Sequence, residues 1–196
     1  MTMKKILNQI KMEFTVAGIV HPRYYHTIGV IEMALTLNNV HQLHIEKEKI
    51  ILAAGFHDIA KLLDKSQMLD ILVKNYPNEV ENLLDYPQIW HSFAGPIYAK
   101  EKYYIDDEKV LQAIKYHTTG RPNMTNLEKI IFVSDYIEKI TRKEASMIET
   151  RKIALKDLDS AVCKTLGDTI MYLKQTHKKI YDLTQAAYDY YLAKEN

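Results

Sequence analysis

Apolar residues return at helical spacing along almost the whole chain, and no segment offers convincing period-two alternation. Residues 3–15 set Ile6, Leu7, Ile10 and Phe14 on one stripe of an amphipathic helix, which Gly18 closes. Pro22 sits where a first helical turn tolerates it and opens a helix through Ile28, Ile31 and Leu35 to about residue 38. The stretch 45–63, apolar through Ile50, Ile51, Ala53, Ala54 and Phe56, is expected to form one central buried helix. Shorter helices are expected over 67–74 and 78–84, then a longer one over 89–103 that Gly95-Pro96 should interrupt or bend.

Asp106-Asp107 is an N-terminal signal for a helix ending near residue 116, and 118–123 reads as a loop with turn chemistry. Thr125 or Asn126 can cap a helix from 127 to about 140. A further helical region is expected over 146–175, then a break at 178–183, with Asp182 or Thr184 capping a last Tyr-rich helix. Only 6 Gly and 5 Pro occur in 196 residues, which disfavours a turn-rich sandwich or barrel. The expectation is an all-α fold in one domain over 1–196, with a motif core at about 20–140 and C-terminal helices at about 146–194.

The formal net charge of +1 gives no case for nucleic acid or an acidic membrane surface, and Lys174, Lys178 and Lys179 read as a solvated helix face. Cys163 is the single cysteine, so no intrachain disulfide can form. Its neighbours Ala161, Val162 and Leu166 suit a small buried hydrophobe better than a nucleophile. Lys4, Lys5 and Lys11 interrupt the first 20 residues, which lack the apolar core of a signal peptide. No run is long enough to span a bilayer, so the expected location is cytoplasmic. The stripe Tyr188, Tyr190 and Tyr191 reads as core or dimer contact, which leaves a homodimer open.

The chemistry begins with His57-Asp58. The dipeptide is expected by chance about half a time in a chain of this composition, so it is weak evidence alone. Its setting says more: a carboxylate and an imidazole within Ala-Ala-Gly-Phe-His-Asp-Ile-Ala are costly to bury unpaired, and metal coordination would offset that cost. His26, His91, His117 and Asp135 lie on or beside separate expected helices. Taken singly, His26 or His91 is more often a hydrogen-bonded histidine, and Asp135 could pair with Arg or Lys. His21, His41, His44 and His177 stay in that ordinary category, with His21 a potential cap. The joint order His…His-Asp…His…His…Asp lifts the six, and a nitrogen/oxygen set without sulfur suits iron, manganese or another first-row ion better than structural zinc.

That order, carried by Arg23-Tyr24-Tyr25-His26-Thr27-Ile28-Gly29, His57-Asp58-Ile59-Ala60-Lys61, His91-Ser92-Phe93-Ala94-Gly95-Pro96, Tyr116-His117-Thr118-Thr119-Gly120-Arg121-Pro122 and Ser134-Asp135-Tyr136-Ile137-Glu138, resembles the HD-domain superfamily of metal phosphohydrolases. Within it the chain is similar to the bacterial YqeK-type family, which hydrolyses dinucleoside tetraphosphates symmetrically. The resemblance implies that His26, His57, Asp58, His91, His117 and Asp135 hold two metal ions, with iron preferred. It also implies that a metal-activated water splits diadenosine tetraphosphate into two ADP. Asp58 and Lys61 would be catalytic, and Arg23, Lys61, Arg121, Arg142, Ile180 and Thr184 would contact the nucleotide.

Two departures from the family pattern stand out. Lys139-Ile140-Thr141-Arg142 brings the arginine one residue late and lacks the family proline, and Ile180-Tyr181-Asp182-Leu183-Thr184 replaces a His-Pro pair. The competing readings are another HD-type phosphohydrolase acting on nucleotides or guanosine polyphosphates, a non-catalytic nucleotide sensor, and a helical scaffold. Loss of metal ligands would mark the sensor, and none is missing.

Overall fold

A computed structural model describes residues 3–195; Met1, Thr2 and Asn196, the ends of the expected domain, lie outside the described residues. Helix α1 (Met3–Glu13) buries Ile6 and Ile10. It leads into a small antiparallel hairpin of β1 (Thr15–Val16) and β2 (Ile19–Val20), with Thr15 opposite Val20 and Val16 opposite Ile19. The hairpin was not expected, because strands of two residues are too short for alternation to register. Gly18 serves its turn: Ala17 and Gly18 take positive φ of 51° and 79°, as a two-residue hairpin turn requires.

Helix α2 (Arg23–Val40) starts where the His21 ring accepts the Arg23 backbone N–H at 3.1 Å, the capping role its position suggested. The expected helix over 45–63 is divided. Helix α3 (Lys47–Phe56) ends at the first residue of the His57-Asp58 pair, Asp58 leaves helical geometry (φ −103°, ψ 12°), and a short 3-10 turn covers Ile59–Leu62. The apolar run is continuous across this break, so periodicity could not locate it.

Helix α4 (Lys65–Asn75) opens on a reciprocal cap between Asp64 and Gln67, and α5 (Val80–Leu83) is a single turn. Helix α6 (Trp90–Tyr103) runs through Gly95-Pro96 without the expected interruption. Packing of α6 against α4, the 3-10 turn after Asp58 and α7 (Glu108–Tyr116) outweighs the ~3 kcal/mol an internal proline costs.

Helix α8 (Asn126–Ile137) begins on a Thr125–Glu128 capping box and stops short of 140, because Glu138 turns out of the helix to accept the backbone N–H groups of Ile140 and Thr141. The expected helix over 146–175 is two helices, α9 (Ala145–Ala154) and α10 (Leu158–Gln175), separated where Asp157 caps the Ser160 N–H at 3.0 Å. Helix α11 (Asp182–Glu195) already contains Thr184, whose N–H bonds to the Tyr181 carbonyl, so Thr184 is an inner residue of the first turn and not a cap.

The architecture is therefore all-α apart from the hairpin. Helix α3 is central, packed by α1, α2, α7 and α8, while α10 braces α8, α9 and α11. Ile10 and Phe14 are fully buried, and each such side chain contributes about 1.5–3 kcal/mol of hydrophobic stabilisation. A second cluster of Leu72, Leu83, Tyr86, Ile89, Trp90 and Phe93 lies to one side, with Tyr181 packed on it. Cys163 is buried, and burial with Glu195 alongside pushes its thiol up to about 11, the inert state its neighbours suggested. No helix among the described residues is long and apolar enough to cross a membrane.

Candidate metal centre

The helix break after Phe56 is what builds the site. His57 sits at the end of α3 with its Nδ1–H donated to the Ala54 carbonyl at 2.6 Å, and His117 sits at the end of α7 with its Nδ1–H donated to the Ile114 carbonyl at 2.6 Å. A carbonyl can only accept, so Nδ1 carries the proton in both rings and each Nε2 presents a lone pair. Both lone pairs face the Asp58 carboxylate, His57 Nε2 at 3.5 Å from Oδ2 and His117 Nε2 at 3.5 Å from Oδ1. Acceptor thus meets acceptor in a buried place: His57 is 0% exposed and Asp58 1% exposed. His57 Nε2 makes no hydrogen bond at all, nor does Asp58 Oδ1, although Lys61 Nζ pairs with that oxygen at 2.9 Å.

The other donors close in on the same point. His26 on α2 places Nε2 2.9 Å from Asp135 Oδ1 on α8, and that oxygen is 3.8 Å from His57 Nε2. His91 on α6 stands 3.6 Å from Asp58 Oδ1 and 3.3 Å from His117 Nε2. Three overlapping groups, His26/His57/Asp58, His57/His117/Asp135 and Asp58/His91/His117, each have ligand atoms within 4.8 Å of one another and could hold a metal ion. Orphaned lone pairs directed at carboxylates are the arrangement a cation satisfies, so the donor set fits a metal.

Electrostatics agree. Burial pushes the pKa of His57 down and that of His91 well down, which keeps both rings neutral and able to ligate. Burial opposes the charge on Asp58, yet its carboxyl is held well below its ordinary value, and with the facing imidazoles neutral the Lys61 ammonium is the group that does this. For Asp135 burial is likewise outweighed, chiefly by His26. Burial disfavours charge on His26, and Asp135 more than compensates, raising its pKa.

The structure brings all six expected metal-site residues together, and the cationic residues divide. Arg23 and Lys61 both reach Asp58, each with about a third of its side chain exposed to a substrate's approach. Arg142, despite its shift of one residue, donates to Asp135, Nε to the backbone carbonyl at 3.1 Å and a guanidinium nitrogen to Oδ1 at 3.4 Å. Arg121 is instead engaged by the buried Glu128 carboxylate at 2.9 Å and packs over the Tyr116 ring. Thr184 is buried in α11, and Ile180 precedes Tyr181, whose ring meets Tyr86 and Phe93. Neither Ile180 nor Thr184 lines the cavity that opens on the cluster.

Two residues at the centre had no role in the sequence reading. Glu138, fully buried, sets Oε1 3.4 Å from His26 Nδ1 and is held by the Thr141 N–H at 2.8 Å. Its signal was available, since it lies three residues after Asp135 in a stretch where the helix was expected to continue to about residue 140. Thr118 brings its hydroxyl to 3.0 Å from His91 Nε2 and 2.9 Å from His117 Nε2.

With this geometry established, the comparisons with known proteins define the class. The HD-domain model matches residues 23–140, the span that carries all six donors, and the chain belongs to the HD-domain family. It is 40% identical to a Halalkalibacterium halodurans protein named "Bis(5'-nucleosyl)-tetraphosphatase, symmetrical", across 88% of this chain and 90% of the relative. A Bacillus subtilis protein of the same name is 36% identical across 86% of this chain and 88% of its own length. Among solved structures, a Clostridium acetobutylicum protein described as a "predicted HD superfamily hydrolase involved in NAD metabolism" superposes with a TM-score of 0.84 at 33% identity. That match covers 99% of this chain and 98% of the other.

Proposed function

We propose that this chain is a di-metal hydrolase, acting as one domain, that splits diadenosine tetraphosphate at its central linkage into two ADP. The observation that carries the reading is the Asp58 carboxylate, whose Oδ2 faces His57 while its Oδ1 faces His91 and His117. Two oxygens aimed at two sets of imidazoles suit a carboxylate shared between two ions. His26, His57, Asp58, His91, His117 and Asp135 would hold them, and iron is the first choice for such nitrogen/oxygen donors, with manganese next. Bound there, the cations supply water activation and neutralise charge on the phosphoryl oxygens.

The chain's own residues do the rest. Arg23 and Lys61 pair with Asp58 and would serve as phosphate partners, with Lys61 the cation that would meet charge developing in the reaction. Arg142 at Asp135 can follow the polyphosphate on the opposite flank. Glu138 stands behind His26 and would orient it, whereas the Thr118 hydroxyl sits at the His91 and His117 Nε2 atoms themselves and would yield that contact to a cation. Ile180 and Thr184 remain the residues that family resemblance assigns to one nucleotide half, and Arg121 would have to leave Glu128 to contribute. The names of the near-full-length relatives support the substrate.

The test is chromatography of products from diadenosine tetraphosphate with protein reconstituted separately with iron and with manganese. Two ADP is the expected outcome. ATP plus AMP, or no cleavage with either metal, would overturn the reading.

A further inference from the structure

Family resemblance makes Arg121 a nucleotide contact, yet its surroundings give it other work. Its Nη2 meets both oxygens of the Glu128 carboxylate, Oε1 at 3.0 Å and Oε2 at 2.9 Å. Its Nη1 donates to the Pro122 carbonyl at 3.3 Å, and its Nε is buried without a partner. The guanidinium carbon lies over the Tyr116 ring, 5.2 Å from its centroid. Gripping a phosphate takes two adjacent N–H groups of the fork, and neither edge has two free. Neither Arg121 nor Glu128 lines the cavity that opens on the metal cluster.

The pair belongs to the connection between two metal-site helices. His117 ends α7, Asp135 lies in α8, and residues 118–125 join them. Glu128 holds this loop at two points, because besides Arg121 it accepts the Thr125 backbone N–H at 3.1 Å. Two tyrosines of α11 hold the stretch between. Tyr190 donates its hydroxyl to Asn123 Oδ1 at 3.2 Å, and the Met124 N–H bonds to the Tyr191 hydroxyl at 3.0 Å. Glu128 is 2% exposed and Tyr191 1%, so both anchors act where water competes little. On its Nδ1 side the His117 ring is tied to its own last turn, at the Ile114 carbonyl. Where its Nε2 points therefore follows the direction in which α7 ends, and the loop sets that direction against α8.

We infer that Arg121 is a positioning residue: with Glu128 it locks the loop after His117 and so fixes that ring relative to Asp135. The inference rests on the metal centre proposed above and adds to it a pair that touches neither metal nor substrate.

The test is manganese affinity, measured by calorimetric titration of the metal-free protein at a temperature where circular dichroism shows each variant folded. Arg121→Ala and Glu128→Gln should each bind manganese at least about tenfold more weakly than wild type. The double variant should be no weaker than the weaker single, because both changes break the same lock. It strands no buried charge and leaves the net charge unchanged, so it decides the matter if Arg121→Ala does not fold. Other roles give other results. A field effect alone would weaken binding on loss of Glu128, strengthen it on loss of Arg121 and leave the double variant unchanged. A phosphate clamp would raise the KM of Arg121→Ala for diadenosine tetraphosphate at unchanged manganese affinity. A pair that serves only stability would lower the melting temperature, again at unchanged manganese affinity. Any of these three results would overturn the inference. A wild type that binds manganese and cleaves no dinucleotide would count against the proposed reaction and not against the lock.

Discussion

Glu138 Oε1 stands 3.4 Å from Nδ1 of His26, the ring whose other nitrogen faces Asp135 at 2.9 Å. A carboxylate behind an imidazole fixes which nitrogen carries the proton and makes the outward nitrogen a stronger donor. Glu138→Gln keeps the shape and the contact with Thr141 but removes the charge. It should lower metal affinity or activity by about 10–100-fold with the helical fold retained. Elemental analysis after dialysis, beside circular dichroism, decides it; wild-type metal content and wild-type turnover would remove Glu138 from the site.

Gly29 on α2 lies directly beneath the Glu138 carboxylate, and a Cβ there would collide with it. Gly29→Ala therefore pits a helix-propensity gain of about 1 kcal/mol against overpacking of about 1–3 kcal/mol. Overpacking should win, because Glu138 is also pinned by Ile140 and Thr141. The expected result is a melting temperature lower by a few degrees together with weaker metal retention. A more stable variant with full metal content would show that Glu138 can move at no cost.

Asp58→Ala should abolish turnover and leave the fold intact. Its cationic partners Arg23 and Lys61 are each 31% exposed and can turn to water, so no buried unpaired charge is left behind. Full activity in a folded Asp58→Ala protein would defeat the mechanism.

Arg23→Ala separates substrate handling from metal holding. Loss of a charge-assisted contact to phosphate should reduce kcat/KM by about 10–100-fold while the metal content is unchanged. Lys61 still pairs with Asp58 in that variant. Metal loss would mean that Arg23 braces Asp58 and does not serve substrate.

Much of this centre was legible before any coordinates. His26, His57, Asp58, His91, His117 and Asp135 are each in or beside an apolar helical stretch where a polar residue needs a reason, and the chain order of those helices survives folding. What the sequence hid was the backbone at two places and one meeting of side chains. Periodicity cannot see a helix end inside a continuous apolar run, so the break after Phe56 was missed, although it is what points His57 and Asp58 inward. Pro96 looked like an interruption because its cost is local, whereas the packing that overrides it is tertiary. The cavity beside Asp135 was invisible because Tyr136, Ser146 and Asp168 lie on three different helices and meet only in space. Arg142 shows the reverse: it is read as a nucleotide contact although it comes one residue late for the family pattern, and the turn after Glu138 returns its side chain to Asp135.

Away from the site, Asp107 ties α7 to α3. Its side chain accepts the N–H groups of Lys109 at 2.9 Å and Val110 at 3.2 Å, and it pairs with Lys49 at 3.0 Å. Asp107→Ala should cost about 0.5–2 kcal/mol at neutral pH, nearly all from the cap, because the partly exposed Lys49 pair is screened by solvent. Burial opposes the Asp107 charge, but Lys49 and the capped N–H groups outweigh it, so the folded-state pKa lies below the ordinary 3.8. The charge-dependent part of this stabilisation is accordingly complete above the ordinary value and is lost as pH falls through the lower folded value. Urea midpoints of wild type and variant should differ by a constant amount from neutral pH down to about pH 5 and converge only in more acidic solution. Convergence already at near-neutral pH would assign the gap to a histidine, and no gap at any pH would show that Asp107 caps nothing of consequence.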